Sequence, residues 1–254
     1  MTVKELYKKM CEALPEELRE PWDNDGLMCC PDTEHPVRRV ILALDVTAEI
    51  IDYAVESNVD LIVSHNPLVF KPIGRLVSED PIGRKLVELV QNNVSVFSFH
   101  TRADKAEGGV NDILARLFKL EDVRPFGEGN LGRIGELAEE ITLEDLAYLL
   151  KDELQAPFVL TSDAYNAVKR VAFVGGEGRD FIRDAIAEGA DTLVSGRLGY
   201  HAMEDAPEMG INLIEAGHYF TEQPVLDFFE SLLARIDPTL VIQKLESNVI
   251  GFIS

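Results

Sequence analysis

The chain has 254 residues, 46% of them hydrophobic, which is enough apolar material for one large domain or two smaller ones and excludes global disorder. With 24 Lys and Arg against 45 Asp and Glu, its formal charge of -21 opposes contact with a nucleic-acid backbone or an anionic membrane surface. We therefore predict neither nucleic acid nor a membrane as a partner.

The N-terminus and the cysteines both favour a cytoplasmic protein. MTVKELYKKMCEAL alternates charged with apolar residues and shows no basic segment followed by an apolar run, so we predict no secretory signal. Cys11, Cys29 and Cys30 lack a C-x-x-C spacing, and adjacent cysteines rarely pair with each other. We interpret Cys29 and Cys30 as thiols without a chemical role, with soft metal ligation as the alternative.

Two early segments carry polar residues that fit ordinary turns. REPWDNDGLMC contains Trp22, the only tryptophan, followed by an Asp-Asn-Asp-Gly core that is typical of a turn. Its residues alone predict a turn anchored by Trp22. His35 lies in the Pro-flanked stretch PDTEHPVRR, and we interpret it as a surface residue.

A strand–helix–strand pattern occurs twice along the chain. RRVILALDV, EIIDYAVESNV and DLIVSH predict a strand, a helix and a second strand, and KRVAFVGG, RDFIRDAIAEGA and DTLVSG repeat that order. The copies match without gaps at an offset of 131 positions, for example Val40 with Val171. A third predicted strand in each copy ends at His100 and at His218. The predicted fold class is therefore α/β, with two related halves, mainly parallel strands and crossover helices.

The connector between the halves is rich in glycine. FGEGNLGRIGEL separates the copies, and we place the boundary at residue 126, which gives halves of residues 1–126 and 127–254. The next stretch, TLEDLAYLLKDEL, predicts a helix with Thr142 as its N-cap and Asp145 three residues later. Loops that follow parallel strands meet along one edge of a sheet, where ligands of open α/β sheets usually bind.

Three familiar active-site patterns are incomplete or absent in this sequence. VGGEGRD lacks the lysine of G-x-x-x-x-G-K-[ST] and the full G-x-G-x-x-G pattern, so we interpret residues 175–178 as a tight turn. A G-x-S-x-G elbow does not occur, and neither Ser64 nor Ser195 has an assignable triad. The sequence therefore disfavours a serine hydrolase.

Polar residues follow three of the predicted strands. His65 ends DLIVSH just before Asn66, and His100 is followed four residues later by Asp104 in HTRAD. Taken singly, a histidine at a strand end fits a structural role, and the pair in HTRAD fits a loop cap. We expect these residues to lie at the sheet edge together with the third cluster.

His218 and Glu222 are the stronger indication of a metal site. GHYFTEQPVLDFF leaves a predicted strand through Gly217 and enters a helix, for which Thr221 is a reasonable N-cap and Pro224 fits the first turn. An imidazole and a carboxylate four residues apart can converge on one ion. The alternative makes Glu222 a first-turn acid that interacts with the helix dipole. With the other clusters, this donor set suits zinc, iron, manganese or another first-row divalent ion.

Four segments in this order resemble the Nif-three-like family, also described as type-two homologues of GTP cyclohydrolase I. They are WDNDGL (22–27), SHNPLVF (64–70), HTRADKAEGGVND (100–112) and GHYFTE (217–222), and together they span nearly the whole chain. The resemblance implies a duplicated α/β fold, a dinuclear metal centre and a toroidal homohexamer whose metal sites face an internal cavity. The chain length resembles the compact members, without the domain that longer members insert between the halves.

The resemblance also implies a set of metal ligands. Carried over residue by residue, they are His65, Asp104, His218 and Glu222. Glu222 would be the bridging carboxylate between two divalent ions, and His100 is expected beside the centre. The chain departs from the family at Asn66, where a second histidine usually stands. Because an amide oxygen is a weaker, uncharged ligand, we expect Asn66 to leave the second metal site weak.

The leading hypothesis for function is a metal-dependent hydrolase that acts on a nucleotide or another phosphorylated small molecule. Glu222 would bridge the ions and His100 would shuttle protons. GTP is a candidate substrate only through the family's label. The alternative is a non-enzymatic metal-binding or metal-delivery assembly, or a regulatory scaffold. Dependence of turnover on metal separates the two hypotheses.

Overall fold

The structure is a computed structural model that describes residues 1–251. Residues 1–103 with 225–251 form one compact unit, and residues 104–224 form the other. Among the described residues, every helix is too short or too polar to cross a bilayer.

Strands and helices alternate along most of the chain. The strands are β1 (Gly26–Cys29), β2 (Arg39–Ala43), β3 (Leu61–Ser64), β4 (Ser95–Ser98), β5 (Glu121–Phe126), β6 (Gly132–Ile141), β7 (Leu160–Ser162), β8 (Val168–Glu177), β9 (Thr192–Arg197), β10 (Asn212–Glu215) and β11 (Val241–Lys244). The α-helices are α1 (Val3–Ala13), α2 (Ala48–Glu56), α3 (Pro81–Gln91), α4 (Thr101–Lys105), α5 (Val110–Leu117), α6 (Leu143–Glu153), α7 (Ile182–Ala187), α8 (Tyr200–Met209), α9 (His218–Glu222) and α10 (Val225–Ile236). The predicted α/β class is confirmed.

The first sheet has the strand order β1-β4-β3-β2-β11. The last four of these strands are parallel, and β1 pairs antiparallel with β4. Ser64 and Ser98 are partners in the β3–β4 pairing, and their hydroxyl oxygens lie 2.7 Å apart. Since the two strands end level with each other, the segments that follow them leave the sheet side by side.

The second sheet has the order β5-β6-β8-β9-β10-β7. Only its central strands β8, β9 and β10 are parallel, as predicted, whereas the flanking strands pair antiparallel. The physical reason is the length of the connections: residues 127–131 join β5 to β6, which is too short for a parallel crossover. The helix predicted after β6 is confirmed as α6, and its capping box joins Thr142 and Asp145.

The repeated sequence pattern has a counterpart in hydrogen bonding. Asp60 precedes β3 and accepts from the backbone N–H groups of residues 38 and 39 at 2.8 and 2.9 Å. Asp191 precedes β9 and accepts from those of residues 169 and 170 at 2.9 and 2.7 Å, again 131 positions later. His35, interpreted as a surface residue, has a side chain that is 30% exposed, and its Nε2 lies 3.0 Å from Asp60 Oδ1.

The predicted halves, residues 1–126 and 127–254, describe a sequence repeat and stay a prediction, which the matched hydrogen bonds support. The compact units divide the chain differently. Strand β11 pairs with β2, and α10 packs against α1, so the last part of the chain completes the first unit.

Candidate metal centre

Two histidines leave the first sheet at the same edge. His65 directly follows β3, and His100 follows β4 after one residue. Helix α4 then begins, and it carries Asp104 in its first turn. The division between the compact units falls within this helix, just before Asp104.

The structure brings His65, His100 and Asp104 together. One ligand atom from each lies within 4.8 Å of the others, His65 is fully buried, and Asp104 is 6% exposed. Two imidazole nitrogens and a carboxylate oxygen at this spacing are a donor set that fits a first-row divalent ion. The residues therefore fit the metal that the resemblance implies.

Backbone contact fixes the tautomer of His65. Its Nδ1 lies 3.1 Å from the carbonyl oxygen of Phe99. Because a carbonyl oxygen can only accept, Nδ1 of the neutral ring donates and Nε2 carries the lone pair. Nε2 is therefore the ligand atom that His65 offers.

A buried carboxylate does the same for His100. Asp23 Oδ1 lies 2.9 Å from His100 Nδ1, and Asp23 Oδ2 accepts from the backbone N–H and the hydroxyl of Thr101 at 3.1 and 2.6 Å. Burial opposes ionisation, but the bond from His100, the charge that this ring carries when protonated and the bonds from Thr101 outweigh it and lower the pKa of Asp23 to about 2. The ionised Asp23 accepts from Nδ1, so His100 also presents Nε2 as its basic atom.

The next aspartate anchors the helix that carries Asp104. Both oxygens of Asp25 accept from Arg102 Nε at 2.9 Å, and Oδ1 also accepts from Nη2 at 2.8 Å. The side chains are 0% and 2% exposed, and the guanidinium lies 5.1 Å from the Phe99 ring centroid. Burial alone would lower the pKa of Arg102, but bonds and charge from Asp25 raise it, so the guanidinium stays charged.

These contacts correct the prediction for REPWDNDGLMC. The chain does turn at residues 20–23, where Asp23 N–H donates to the Glu20 carbonyl at 3.0 Å, but Trp22 is 60% exposed and does not anchor the segment. Asp23 and Asp25 are the anchored residues, and their partners lie 77 and 78 positions away. The sequence does contain a signal for this arrangement: two aspartates separated by one residue point their side chains to the same side of an extended chain.

His218 and Glu222 form a second pair, in the second unit. His218 Nε2 lies 3.2 Å from Glu222 Oε2, with the two side chains 45% and 4% exposed. Both residues belong to α9, which begins at His218 directly after Gly217. The prediction that Thr221 is an N-cap is therefore wrong: Thr221 lies within α9, where its hydroxyl donates to a carbonyl and accepts from Gly176 N–H.

Glycines allow α9 to approach the sheet closely. A Cβ at Gly176 would lie 2.2 Å from Glu222 Oε1, and one at Gly196 would lie 2.6 Å from the Thr221 hydroxyl. The interpretation of residues 175–178 as a tight turn is therefore wrong for Gly175 and Gly176, which lie in β8. Gly176 makes room for the Glu222 carboxylate, and Gly196 makes room for the Thr221 hydroxyl.

The predicted site residues thus follow strands of two different sheets. His65 and His100 follow strands of the first sheet, whereas His218 follows β10 of the second. The expectation that all three clusters leave a single sheet edge is wrong, because the two copies of the repeat build separate sheets.

Asn66 is held by a neighbouring acid. Its side-chain amide donates to Asp45 Oδ1 at 2.9 Å, and its backbone N–H donates to the Leu44 carbonyl at 2.9 Å. With the NH₂ group turned to Asp45, the amide oxygen is the one atom that Asn66 can offer to a metal.

Within the part of the chain that the structure describes, the group of possible metal ligands formed by His65, His100 and Asp104 contains no cysteine. All three cysteines are free thiols. Burial, with a smaller contribution from Cys30, raises the pKa of Cys29 to about 11, so its thiol stays protonated at neutral pH. The interpretation of Cys29 and Cys30 as thiols without a chemical role stays a prediction.

Comparison with known proteins gives one family throughout. The family model for Duf34/NIF3 (NGG1p interacting factor 3) matches residues 1–249. A Clostridium perfringens relative named GTP cyclohydrolase 1 type 2 homolog is 34% identical over 233 residues, covering 89% of this chain and 88% of its own. A Methanocaldococcus jannaschii relative of the same name is 30% identical over 239 residues, covering 92% and 95%.

Solved structures agree with this assignment. Reduced HcgD from Methanocaldococcus jannaschii is 28% identical, with a TM-score of 0.85 and coverage of 96% of this chain and 98% of that one. A Bacillus cereus protein related to NIF3 shares the fold at a TM-score of 0.87 and 21% identity, with coverage of 100% and 99%. The resemblance seen in the four sequence segments is confirmed, and the chain belongs to the Duf34/NIF3 family.

Proposed function

We propose that this chain binds two divalent metal ions and acts as a metal-dependent hydrolase on a nucleotide or another phosphorylated small molecule. The observation that carries the proposal is the convergence of ligand atoms from His65, His100 and Asp104 within 4.8 Å. The relatives support the substrate class, since several bear the name GTP cyclohydrolase 1 type 2 homolog.

The proposed ligands come from both copies of the sequence repeat. They are His65, Asn66, Asp104, His218 and Glu222. We assign Glu222 as the bridging carboxylate and Asn66 as the ligand of the weaker second ion, because a carboxamide oxygen competes poorly with water for zinc, iron or manganese.

The residues of the cluster suit proton transfer as well as ligation. A bound divalent ion would act as a Lewis acid and lower the pKa of a water molecule toward neutrality. His100 is not in this ligand set, so its Nε2 keeps a lone pair and can take up a proton. Asp23 would then stabilise the resulting imidazolium, since its carboxylate lies 2.9 Å from Nδ1. We assign His100 as the proton shuttle.

We further propose that the protein works as a cytoplasmic homohexamer. Such a particle would have several times the 28.3 kDa mass of one chain. Light scattering that gives the mass of a single chain would contradict this part of the proposal.

A second candidate function is a non-enzymatic metal-binding or regulatory scaffold. The family description favours this second candidate, because the description names an interacting factor and no reaction. The two candidates differ in turnover and agree in metal binding.

One experiment separates them. The purified protein, its metal content measured, is screened against nucleotides and phosphomonoesters as isolated, after chelation, and after return of single metals. We expect turnover that chelation abolishes and one metal restores. His65→Ala should lose both metal and turnover, while His201→Ala, whose side chain is 80% exposed outside the cluster, should keep both. Metal binding without turnover of any phosphorylated compound would favour the scaffold.

A further inference from the structure

Two aromatic rings are exposed beside the histidines of the first cluster. Trp22 is 60% exposed and Phe70 is 43% exposed, although such large apolar rings are usually buried. The ring of His100 lies 6.2 Å from each of them, edge-on to both. Trp22 and Phe70 meet each other edge to face at 6.3 Å. The two exposed rings therefore border the candidate metal centre at His100.

The segments that carry these rings are tied to the fold and to each other. Trp22 precedes Asp23, which is bound to His100 and Thr101. The side-chain amide of Asn24 donates to the carbonyl of Val69, the residue before Phe70. Because these bonds hold the backbone next to both rings, a ligand that stacks on the rings loses little affinity to the ordering of these two segments.

Two cations follow Phe70 in the sequence. Residues 65–78 contain Lys71 and Arg75, and the acids Glu79 and Asp80 come directly after them. Both cations are exposed. The acid beside Trp22, Asp23, is already bound by His100 and Thr101, so Lys71 and Arg75 are the charged groups of these segments that can pair with an anionic ligand.

We propose that Trp22 and Phe70 form a binding site for the planar aromatic ring of a small anionic ligand, such as a nucleotide. This inference rests on the proposed function, because it places the site beside the proposed metal ligands. It adds a binding site for the aromatic ring of the ligand, which the metal does not bind. A planar ring stacked on one side chain meets the edge of the other, the two arrangements that aromatic pairs prefer. Recognition then depends on planarity, because every nucleobase has a face that can stack.

Trp22 is itself the reporter for the test, because it is the only tryptophan in the chain. The purified protein is titrated with guanosine 5′-monophosphate and, separately, with ribose 5-phosphate, which has the anionic group without the ring. We expect a saturable change in tryptophan fluorescence with the nucleotide only. Calorimetry on Phe70→Ala should give a Kd for the nucleotide at least about fivefold higher. Tyr148→Ala removes a ring that is 59% exposed in the second unit and should leave the Kd unchanged.

Metal content is measured on the same samples, so that the two proposals fail separately. Nucleotide binding through Trp22 and Phe70 in a protein that takes up no metal would overturn the proposed function and support the ring site. A metal-loaded protein whose Phe70→Ala variant keeps the parent Kd would overturn the ring site. The ring site would also be overturned if tryptophan fluorescence changed on dilution of the protein and Phe70→Ala formed a smaller particle. Those results would show that a second copy of the chain covers the two rings.

Discussion

Replacing Asp25 by asparagine tests whether the buried ion pair with Arg102 holds the helix that carries Asp104. The substitution keeps the shape of the side chain and removes its charge. Arg102 would remain 2% exposed with its charge uncompensated, and removal of one partner of a buried pair costs about 3–5 kcal/mol. We expect the lower end of that range, because Arg102 also donates to the Leu14 carbonyl at 3.0 Å and lies over the Phe99 ring.

The assay is urea unfolding followed by far-UV circular dichroism, with the free energy of unfolding compared between variant and parent. Glu136→Gln is the matched control. It removes the charge from a pair with Arg170 whose side chains are 35% and 44% exposed, and exposed pairs contribute little to the free energy of unfolding. If Asp25→Asn lies within about 1 kcal/mol of the parent, the ion pair is not an anchor and the reasoning is refuted.

Three further predictions follow from the site and the repeat. Asn66→His should raise the affinity of the second metal site by at least about tenfold, or roughly 1.4 kcal/mol, in a calorimetric titration; a parent that already binds two equivalents tightly and titrates identically would contradict this. Glu222→Gln should remove more bound metal than Asp104→Asn in elemental analysis, because a bridging ligand binds both ions. Equal losses of metal would contradict the assignment of Glu222 as the bridging ligand. Burial alone would raise the pKa of Asp60, but the N–H groups of residues 39 and 38 and the ring of His35 lower it. Its stabilising contribution is therefore present above the unfolded value of about 3.9 and lost as the pH falls through the folded value. Asp60→Asn should thus be less stable than the parent at pH 7 and differ from it less at pH 3, and a difference that is independent of pH would exclude this role.

The sequence predicted the elements that local patterns determine. Apolar runs located β2, β3 and β4, and the spacing of Thr142 and Asp145 located the start of α6. The grouping of His65 with His100 also followed from sequence, because residues that succeed neighbouring parallel strands leave a sheet at the same edge.

Features that depend on distant partners were not predicted. Asp23 and Asp25 fit a turn by composition, and only contacts with residues 77 and 78 positions away show that they position the ligand helix. Thr221 fits a helix cap, yet α9 begins three residues earlier because Gly217 turns the chain at a φ of 89°. The glycines of β8 resembled a turn because sequence does not reveal which side chain packs against them.

The fixed tautomers of His65 and His100 bear on how metal binding and folding are coupled. The Phe99 carbonyl and the Asp23 carboxylate set the ring orientations, so protein contacts hold both the proposed ligand His65 and the proposed proton shuttle His100 in place. Little conformational entropy is then lost on ligation, in contrast to a zinc finger, whose chain is ordered only by its metal. We therefore expect a chelator to strip the metal and leave the far-UV spectrum unchanged. Metal exchange in this protein would then proceed without unfolding. The metal occupancy of the folded protein would depend on the concentration of free ions.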